Sequence, residues 1–477
     1  MDAITTREKD RLFEIVDGER DRLRELARRL WERPEVALEE HESARLLAAT
    51  LEREGFDVEM GVGELPTAFV ATYGAGSPTI GFIGEYDALP GLSQVVSTVQ
   101  EPVEVGGAGH GCGHNLHGVG AIGGAIAIKQ GIEAGDLDGT IAFLGCPAEE
   151  TLVGKVYMAR AGAFDDLDAA IAWHPDNVST VRLGTANALN SIEYRFEGTA
   201  AHAAGSPEAG RSALDAVQLM NTGVEHMREH VPDDARIHYV ATEGGKAPNV
   251  VPASASVWYF VRAPTRERVD WLTAWVDDVA NSAAKMTRTA VDRTFRTGCY
   301  PYHPNETIGM QVWENMRSVG PIDYSASDRT FAAELRATVP EEDQVGRMAK
   351  VPDERLTAVL EHDLYPDPIP PFDREEPSKG TADLGDVCWN APTVQFKGAA
   401  YPVGIPSHSW QAVAANGELG TRALTFAAKV FAGTAYDLFT EPSILEAARE
   451  EFAEVTDGRP YESPLPEDAD PFVDPVG

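Results

Sequence analysis

The sequence is short of cysteine, of positive charge and of long apolar runs, and each shortage excludes a class of protein. Only four cysteines occur among 477 residues. They are far apart and form no CxxC pair, so we expect no disulfide framework. No run of about 18 consecutive apolar residues occurs, so no membrane-spanning helix is expected. The opening residues, MDAITTREKDR, lack the apolar core of a secretory signal. The simplest interpretation is a cytoplasmic protein.

Negative charge dominates the chain. Asp and Glu outnumber Lys and Arg by 76 to 40, which gives a net charge of -36. A protein that binds phosphate backbones shows the opposite balance, so nucleic acid is excluded as a partner. Acids dispersed along a chain suit solubility at high salt, where ions screen the self-repulsion. We therefore hypothesise a halophilic source, with an acidic mesophilic protein as the alternative.

The length exceeds what one hydrophobic core usually supports, so we expect two domains. Through residues 1–184, β-rich runs alternate with helical patterns, which indicates an α/β layer with helices on the sheet faces. Residues 185–300 follow the order β-α-β-β-α-β of a ferredoxin-like fold. We predict that this smaller domain is inserted in a larger one, which resumes at 301–477. Segment 339–380 is rich in Pro, Asp and Glu and predicts a long loop.

The densest group of reactive side chains lies at 106–117, in the sequence GGAGHGCGHNLH. Cys112 and His114 offer a thiolate and an imidazole, both good ligands for zinc. The surrounding glycines let the backbone bend tightly around an ion. Taken alone, the segment has an ordinary alternative, a glycine-rich turn with a buried cysteine and a surface histidine.

Other candidate residues follow predicted strands. Glu149 and Glu150 come after one strand, His174 after a second and Asp87 after a third, while His408 lies in the segment PSHSW. Each has a plain structural alternative, such as a surface pair of acids, a satisfied core histidine or a turn residue. If the strands are parallel, however, these ends share the sheet edge where α/β proteins bind ligands. One acid could then bind a metal while the other serves as general base, and Asp87 could orient a ligating imidazole.

The combined set of nitrogen, oxygen and sulfur donors suggests a two-metal site. Such a mixture suits two zinc ions better than Mg²⁺ or Ca²⁺, which prefer oxygen. Two adjacent ions polarise a scissile carbonyl and lower the pKa of a bridging water. The donor set therefore points to metal-assisted hydrolysis.

The ordered motifs GHGCGHN, FLGCPAEE, AWHP, TAAHAAGSP, PNVVP and SHSW resemble those of the M20 family of metallopeptidases and aminoacylases. The likeness runs nearly end to end and points to the aminoacylase-type branch. It implies a zinc-peptidase-like α/β catalytic domain with an inserted ferredoxin-like α+β lid, which often forms the dimer interface. The implied activity is hydrolysis of an N-acyl amino acid, with p-aminobenzoyl-glutamate as the expected substrate. Indole-acetyl-amino acids, other N-acyl amino acids and dipeptides are the alternatives.

The resemblance also assigns roles to individual residues around two divalent ions, zinc or alternatively manganese. The implied metal ligands are Cys112, His114, Glu150, His174 and His408. Glu149 would be the general base, and Asp87 would support the metal site from behind. His202 would stabilise the oxyanion, often from the other subunit of a homodimer. Asn249 and Arg262 would hold the substrate carboxylate, which suits the planar fork of arginine.

Two positions depart from the wider branch, which usually has Asp where this chain has Glu85 and Asn115. Both departures fit its p-aminobenzoyl-glutamate-hydrolase-like subgroup. His110 and His117 flank the cysteine loop and receive no role. The resemblance also suggests a homologous partner subunit. A catalytically silent regulatory subunit is the rival interpretation, but the intact set of implied ligands favours an enzyme.

Overall fold

The structure is a computed structural model that describes residues 3–374 and 377–472. In that part of the chain the helices are α1 (Ala3–Trp31), α2 (His41–Arg53), α3 (His114–Glu133), α4 (Gly154–Arg160), α5 (Ala213–Met227), α6 (Arg266–Thr287), α7 (Glu306–Val319), α8 (Ala326–Arg336), α9 (Glu341–Met348), α10 (Asp353–Leu360), α11 (Leu384–Cys388), α12 (Trp410–Gly417), α13 (Arg422–Thr440) and α14 (Pro442–Thr456). The strands are β1 (Asp57–Met60), β2 (Phe69–Ala75), β3 (Thr79–Glu85), β4 (Gly139–Cys146), β5 (Ala169–Asp176), β6 (Thr180–Arg182), β7 (Ala188–Glu197), β8 (Arg236–Glu243), β9 (Ser254–Ala263), β10 (Ala290–Cys299) and β11 (Thr393–Ala399).

The first compact unit comprises residues 3–185, 303–374 and 387–461. It contains a seven-stranded mixed sheet in the order β1-β2-β4-β3-β5-β11-β6. Strands β4, β3, β5 and β11 run parallel, while β1, β2 and β6 are antiparallel to their neighbours. Large apolar residues pair across the parallel strands, as Trp173 does with Phe396. The carboxyl ends of the four parallel strands therefore meet at one edge of the sheet.

Helix α3 lies close to the sheet because small residues form its contact surface. It contacts β3 and β5 as well as α1 and α13. A Cβ atom on Gly120 would lie 2.8 Å from Nε1 of Trp173, and one on Gly124 would lie 2.5 Å from Cβ of Phe431. Larger side chains would push the helix away from its neighbours. The helix begins at His114, so that residue belongs to its first turn.

Segment 339–380 is not the continuous loop that its composition predicted, because it contains α9 and α10. Pro340 and Pro352 stand immediately before the two helices, where a missing backbone N–H removes no intrahelical hydrogen bond. Acidic residues in a first turn stabilise the positive end of the helix dipole. The first-turn acids are Glu341, Glu342, Asp343, Asp353 and Glu354. The residues that suggested a loop are therefore helix-start signals.

The second compact unit comprises residues 186–302 together with 377–386 and 462–472. Its four-stranded antiparallel sheet has the order β10-β7-β9-β8. Helices α5 and α6 pack on this sheet and enclose a core of its own. The chain order β-α-β-β-α-β is the ferredoxin-like arrangement. The two additional segments lie in the part of the chain that the sequence assigned wholly to the catalytic domain.

Two other features complete the description of the fold. After α14, residues 457–472 form turns without a helix or strand. Among the described residues, none of the helices combines the length and the apolar character needed to cross a membrane.

Candidate metal centre

Three groups of potential metal ligands lie at the sheet edge where the parallel strands of the first unit end. In each group the donor atoms lie within 4.8 Å of one another. The groups are Cys112–His114–His174, Cys112–Glu150–His408 and Glu85–His114–Glu149. All five ligands implied from the sequence therefore fall in the first two groups, which share the sulfur of Cys112.

Glycine shapes the loop that carries Cys112. Gly113 has a φ of 79°, which favours a residue without a side chain. A Cβ atom there would lie 2.7 Å from the hydroxyl of Tyr401 and 2.9 Å from Cγ of Pro175. Both the backbone and the available space thus require glycine. The loop ends at α3, whose first residue, His114, is fully buried.

The thiol of Cys112 faces the imidazole of His174. Its Sγ lies 3.2 Å from Nε2 of His174, and Nδ1 of the same ring lies 2.7 Å from the carbonyl oxygen of Pro175. Because that oxygen can only accept, Nδ1 carries the proton and the lone pair of Nε2 points to the sulfur. Burial raises the pKa of the Cys112 thiol, so its ionisation requires a cation beside it.

Asp87 orients two of the candidate ligands at once. Nδ1–H of His114 donates to its Oδ1 over 2.8 Å, and the backbone N–H of Glu150 donates to its Oδ2 over 2.9 Å. The other ring nitrogen of His114, Nε2, keeps its lone pair for a metal. Carboxylates that orient ligating histidines in this way are common around metal sites.

Glu149 and Glu150 occupy a short 3₁₀ turn directly after β4. The preceding Ala148 has a φ of 54°, which is uncommon for a residue with a side chain. Its N–H donates to the carboxylate of Glu40 over 2.8 Å. Glu40 is fully buried and also accepts a hydrogen bond of 3.1 Å from the hydroxyl of Thr67. A buried acid that precedes α2 thus anchors the turn that presents both glutamates.

His408 completes the second donor group from the loop between β11 and α12. Its Nε2 lies 3.4 Å from Oε2 of Glu150. Its backbone N–H donates to the carbonyl oxygen of Gly111 over 2.9 Å, which ties this loop to the cysteine loop. Burial raises the pKa of Glu150 to about 7. The carboxyl group is therefore fully ionised at neutral pH only when a cation balances its charge.

Residues 81–466 match the model of the peptidase family M20/M25/M40. The chain belongs to this family. It is 37% identical to a component of the p-aminobenzoyl-glutamate hydrolase of Escherichia coli (strain K12) over 468 residues, which cover 96% of this chain and 97% of the relative. It is 31% identical to the Xaa-Arg dipeptidase of Homo sapiens over 341 residues, or 67% of this chain and 73% of that protein. A dinuclear metal-binding M20 peptidase of Bacillus subtilis shares the fold, with a TM-score of 0.55 and 20% identity over 89% of this chain and 99% of its own.

Membership in M20 confirms the family that the motifs predicted, and the chain is a metal-dependent hydrolase of carbon–nitrogen bonds. The donor groups supply ligand atoms for two divalent metal ions. In the described part of the chain, Nε2 of His114 and Oε1 of Glu150 are buried and lack a hydrogen-bond partner, as expected of ligand atoms. The residues fit two ions, one held by Cys112, His114 and His174 and the other by Cys112, Glu150 and His408.

Glu85 belongs to the third group of this M20 site, although the sequence assigned it no role. Its Oε1 pairs with Nζ of the fully buried Lys155 over 2.7 Å. Its Oε2 lies 3.3 Å from Nε2 of His117 and 3.4 Å from Nε2 of His114. The backbone N–H of Glu85 donates to Nδ1 of His117, which places the proton of that ring on Nε2. Its position in the sequence could have indicated a role in the site, because Glu85 ends the strand that leads to Asp87.

His202, Asn249 and Arg262 lie in the second unit. Nδ1 of His202 accepts the backbone N–H of Gly205 over 3.0 Å, and the residue after His202 donates its N–H to the carbonyl oxygen of Asn249 over 3.0 Å. The segments that carry these two residues are therefore neighbours. The guanidinium group of Arg262 lies 4.9 Å from the ring centre of Phe260. The roles expected for all three side chains stay predictions.

We expect Asp87→Asn to weaken metal binding by about 10- to 100-fold, as is typical when a residue that orients a ligand is changed. An amide has only one acceptor atom, so its NH₂ group would face either the His114 ring or the Glu150 N–H as a second donor. Metal titration of the chelated protein measures the effect. Asp168→Asn is the control, because Asp168 pairs with Arg449 and belongs to no donor group of the described residues. Unchanged affinity in Asp87→Asn would contradict the orienting role.

Proposed function

We propose that this chain hydrolyses the amide bond of p-aminobenzoyl-glutamate and releases p-aminobenzoate and glutamate. The observation that carries the proposal is the 37% identity to a component of a p-aminobenzoyl-glutamate hydrolase across nearly the whole of both chains. The grouping of Cys112, His114, Glu150, His174 and His408 supports the same conclusion, because a metal-dependent reaction needs all its ligands in place. We propose zinc as the native metal, with manganese as the alternative.

Two divalent ions held by Cys112, His114, Glu150, His174 and His408 would polarise the scissile carbonyl and make water more acidic. Glu149 removes a proton from the water whose oxygen forms a bond to the carbonyl carbon. The same glutamic acid returns the proton to the leaving nitrogen as the carbon–nitrogen bond breaks. His202 stabilises the negative charge that develops on the carbonyl oxygen. Asn249 and Arg262 hold the carboxylate of the substrate.

The deciding experiment is the release of p-aminobenzoate from p-aminobenzoyl-glutamate by the purified chain alone. The assay is run in high salt, first on chelated protein and then after addition of Zn²⁺ or Mn²⁺. Release that returns with metal would support both the substrate and the sufficiency of one chain. If protein with bound metal releases no p-aminobenzoate, the proposal that this chain alone hydrolyses this substrate is overturned. Another acyl group or a missing partner chain would then be tested. Failure to bind metal would overturn the mechanism.

A dipeptidase is the second candidate function, because the Xaa-Arg dipeptidase relative is 31% identical over 67% of this chain. A substrate panel separates the two candidates. It compares p-aminobenzoyl-glutamate, an indole-acetyl-amino acid and dipeptides with a basic second residue under identical metal and salt conditions. Preference for the dipeptides by kcat/KM would replace the aryl-acyl substrate proposed above.

We propose that the chain forms a homodimer through the second unit. The relative in Escherichia coli is named as a subunit, so a complex with a homologous partner subunit is the alternative. Molar mass in solution, measured together with turnover, distinguishes these cases. A catalytically active homodimer supports the proposal, whereas activity only after addition of a homologous chain supports the alternative. The cytoplasm stays the predicted location.

The net charge of -36 leads us to expect a strong dependence of folding on salt. Removing salt lengthens the distance over which the acidic groups repel one another and so destabilises the compact state. The midpoint of thermal unfolding is therefore expected to rise steadily from low to molar concentrations of KCl. Sucrose at matched water activity is the control for effects that do not depend on ions. Full stability without salt would overturn the halophilic hypothesis.

A further inference from the structure

The backbone of His408 adopts a conformation that its surroundings must maintain. Its φ is 56°, in the left-handed region that residues with a side chain rarely occupy. Such a conformation persists only where neighbouring structure determines it, and it often marks a functional position. The hydrogen bond from the His408 N–H to the carbonyl oxygen of Gly111 is one constraint. The remaining constraints act on the preceding residues, 400–405.

One side of the 400–405 loop is held by the end of β5. The backbone N–H groups of Ala400 and Tyr401 donate to the carbonyl oxygen of Asp176, over 2.9 and 3.1 Å. The side-chain amide of Asn177 donates to the carbonyl oxygens of Pro402 and Ile405, over 2.6 and 3.2 Å. Because β5 also carries His174, this side of the loop is linked to the first donor group.

The other side is held by residues 339–374, which we call the brace segment. The N–H of Val403 donates to the carbonyl oxygen of Asp363 over 2.9 Å. Gly404 has a φ of 80°, and a Cβ atom on it would lie 2.6 Å from Cβ of Gln344. The amide of Gln344 is itself fixed by Arg336, whose Nε donates to its Oε1 over 2.6 Å. The brace segment therefore contacts the loop through both backbone and side chain.

Apolar packing joins the brace segment to the same loop. Val403 is fully buried in a cluster separate from the main core of the first unit. The other buried members of this cluster are Val178, Met348, Val351, Val359 and Ile369. Four of these five belong to the brace segment. Its packing therefore acts on the loop close to His408, while none of its residues belongs to a donor group of the described chain.

We infer that the brace segment positions His408 and so sets the affinity of the donor group Cys112–Glu150–His408 for a divalent ion. This inference rests on the metal-dependent reaction proposed above. The group Cys112–His114–His174 is carried by the cysteine loop, α3 and β5, and it has no ligand on the braced loop. Loosening the brace segment is therefore expected to weaken the binding of one ion and to leave the binding of the other unchanged.

The test is a comparison of Val359→Ala with Val16→Ala in the full-length protein. Both valines are fully buried on helices, the first in the cluster of the brace segment and the second in the main core. The same deletion should therefore cause a similar loss of thermal stability. Chelated protein is titrated with Zn²⁺, and the two binding steps are followed by calorimetry. We expect Val359→Ala to raise the Kd of one of the two steps by about 10-fold, a typical effect of residues that orient ligands, and Val16→Ala to change neither step.

Equal changes in both variants, or no change in Val359→Ala, would overturn the inference. Ile369→Val deletes one methylene from the same cluster and is the milder second variant should Val359→Ala not fold. We expect a smaller shift of the same step from it. The binding steps are read without substrate, so failure of the proposed substrate does not alter this result. Conversely, two unaffected binding steps in an active enzyme would refute the inference and leave the proposed function standing.

Discussion

Replacing Glu149 with alanine is expected to lower kcat by about a hundredfold to ten-thousandfold, the usual contribution of a general acid–base group, while two metal ions stay bound. The choice of Glu149 over its neighbour rests on their different surroundings. Glu150 has its N–H fixed by Asp87 and its carboxylate next to His408. Glu149 belongs to neither group that contains Cys112. It is therefore the acid of the pair that we expect to move the proton.

The Glu149 prediction is checked by steady-state kinetics combined with metal analysis of the same samples. Glu149→Gln keeps the shape but cannot accept the proton, so it should be as inactive as Glu149→Ala. Glu149→Asp keeps the carboxylate and should recover part of the activity. Normal turnover in Glu149→Ala would refute the base assignment. Loss of one metal ion would instead make Glu149 a ligand, since Oε2 lies 3.9 Å from Nε2 of His114 in the third donor group.

The parts of the site that the sequence predicted depend on local pattern and on one rule of topology. Strand β3 is an apolar run between turn residues, a pattern that indicates a buried strand well. The parallel pairing of β3, β4, β5 and β11 then brings their carboxyl ends together. Candidate ligands that are distant in sequence thereby reach one edge of the sheet.

The parts that the sequence did not predict depend on contacts between distant segments. Glu40 reaches the N–H of Ala148 across 108 positions of the chain. Lys155 is fully buried against Glu85. A charged residue ordinarily indicates an exposed position, so neither side chain carries a local signal of burial. Their roles can be recognised only from the folded structure, which places Glu40 next to Ala148 and Lys155 next to Glu85.

The brace segment shows a different reason for a wrong prediction. Its helices are short, and the Pro, Asp and Glu residues at their starts are as typical of loops as of first helical turns. The apolar residues that would distinguish the two cases pack against Val178 and Val403, which belong to other parts of the first unit. Composition alone therefore could not separate an ordered support from a long surface loop.

Cys112→Ala is expected to abolish binding of both ions and to reduce activity to that of the chelated protein. The two principal donor groups share the sulfur of Cys112. Without it, one group retains only His114 and His174, and the other retains only Glu150 and His408. Catalytic zinc sites ordinarily use three protein ligands, so neither remainder suffices. The loss of the thiolate also removes the negative charge that would offset the positive charge of both ions.

Metal content per chain after dialysis separates a shared sulfur from a ligand of one ion. His408→Ala should lose a single ion, because Cys112, His114 and His174 remain, whereas Cys112→Ala should lose both. Cys388→Ala is the control, since Cys388 is also a buried thiol but belongs to no donor group of the described residues. It should retain both ions and full activity. Retention of one tightly bound ion by Cys112→Ala would show that the sulfur is a ligand of only one ion and would contradict its shared role.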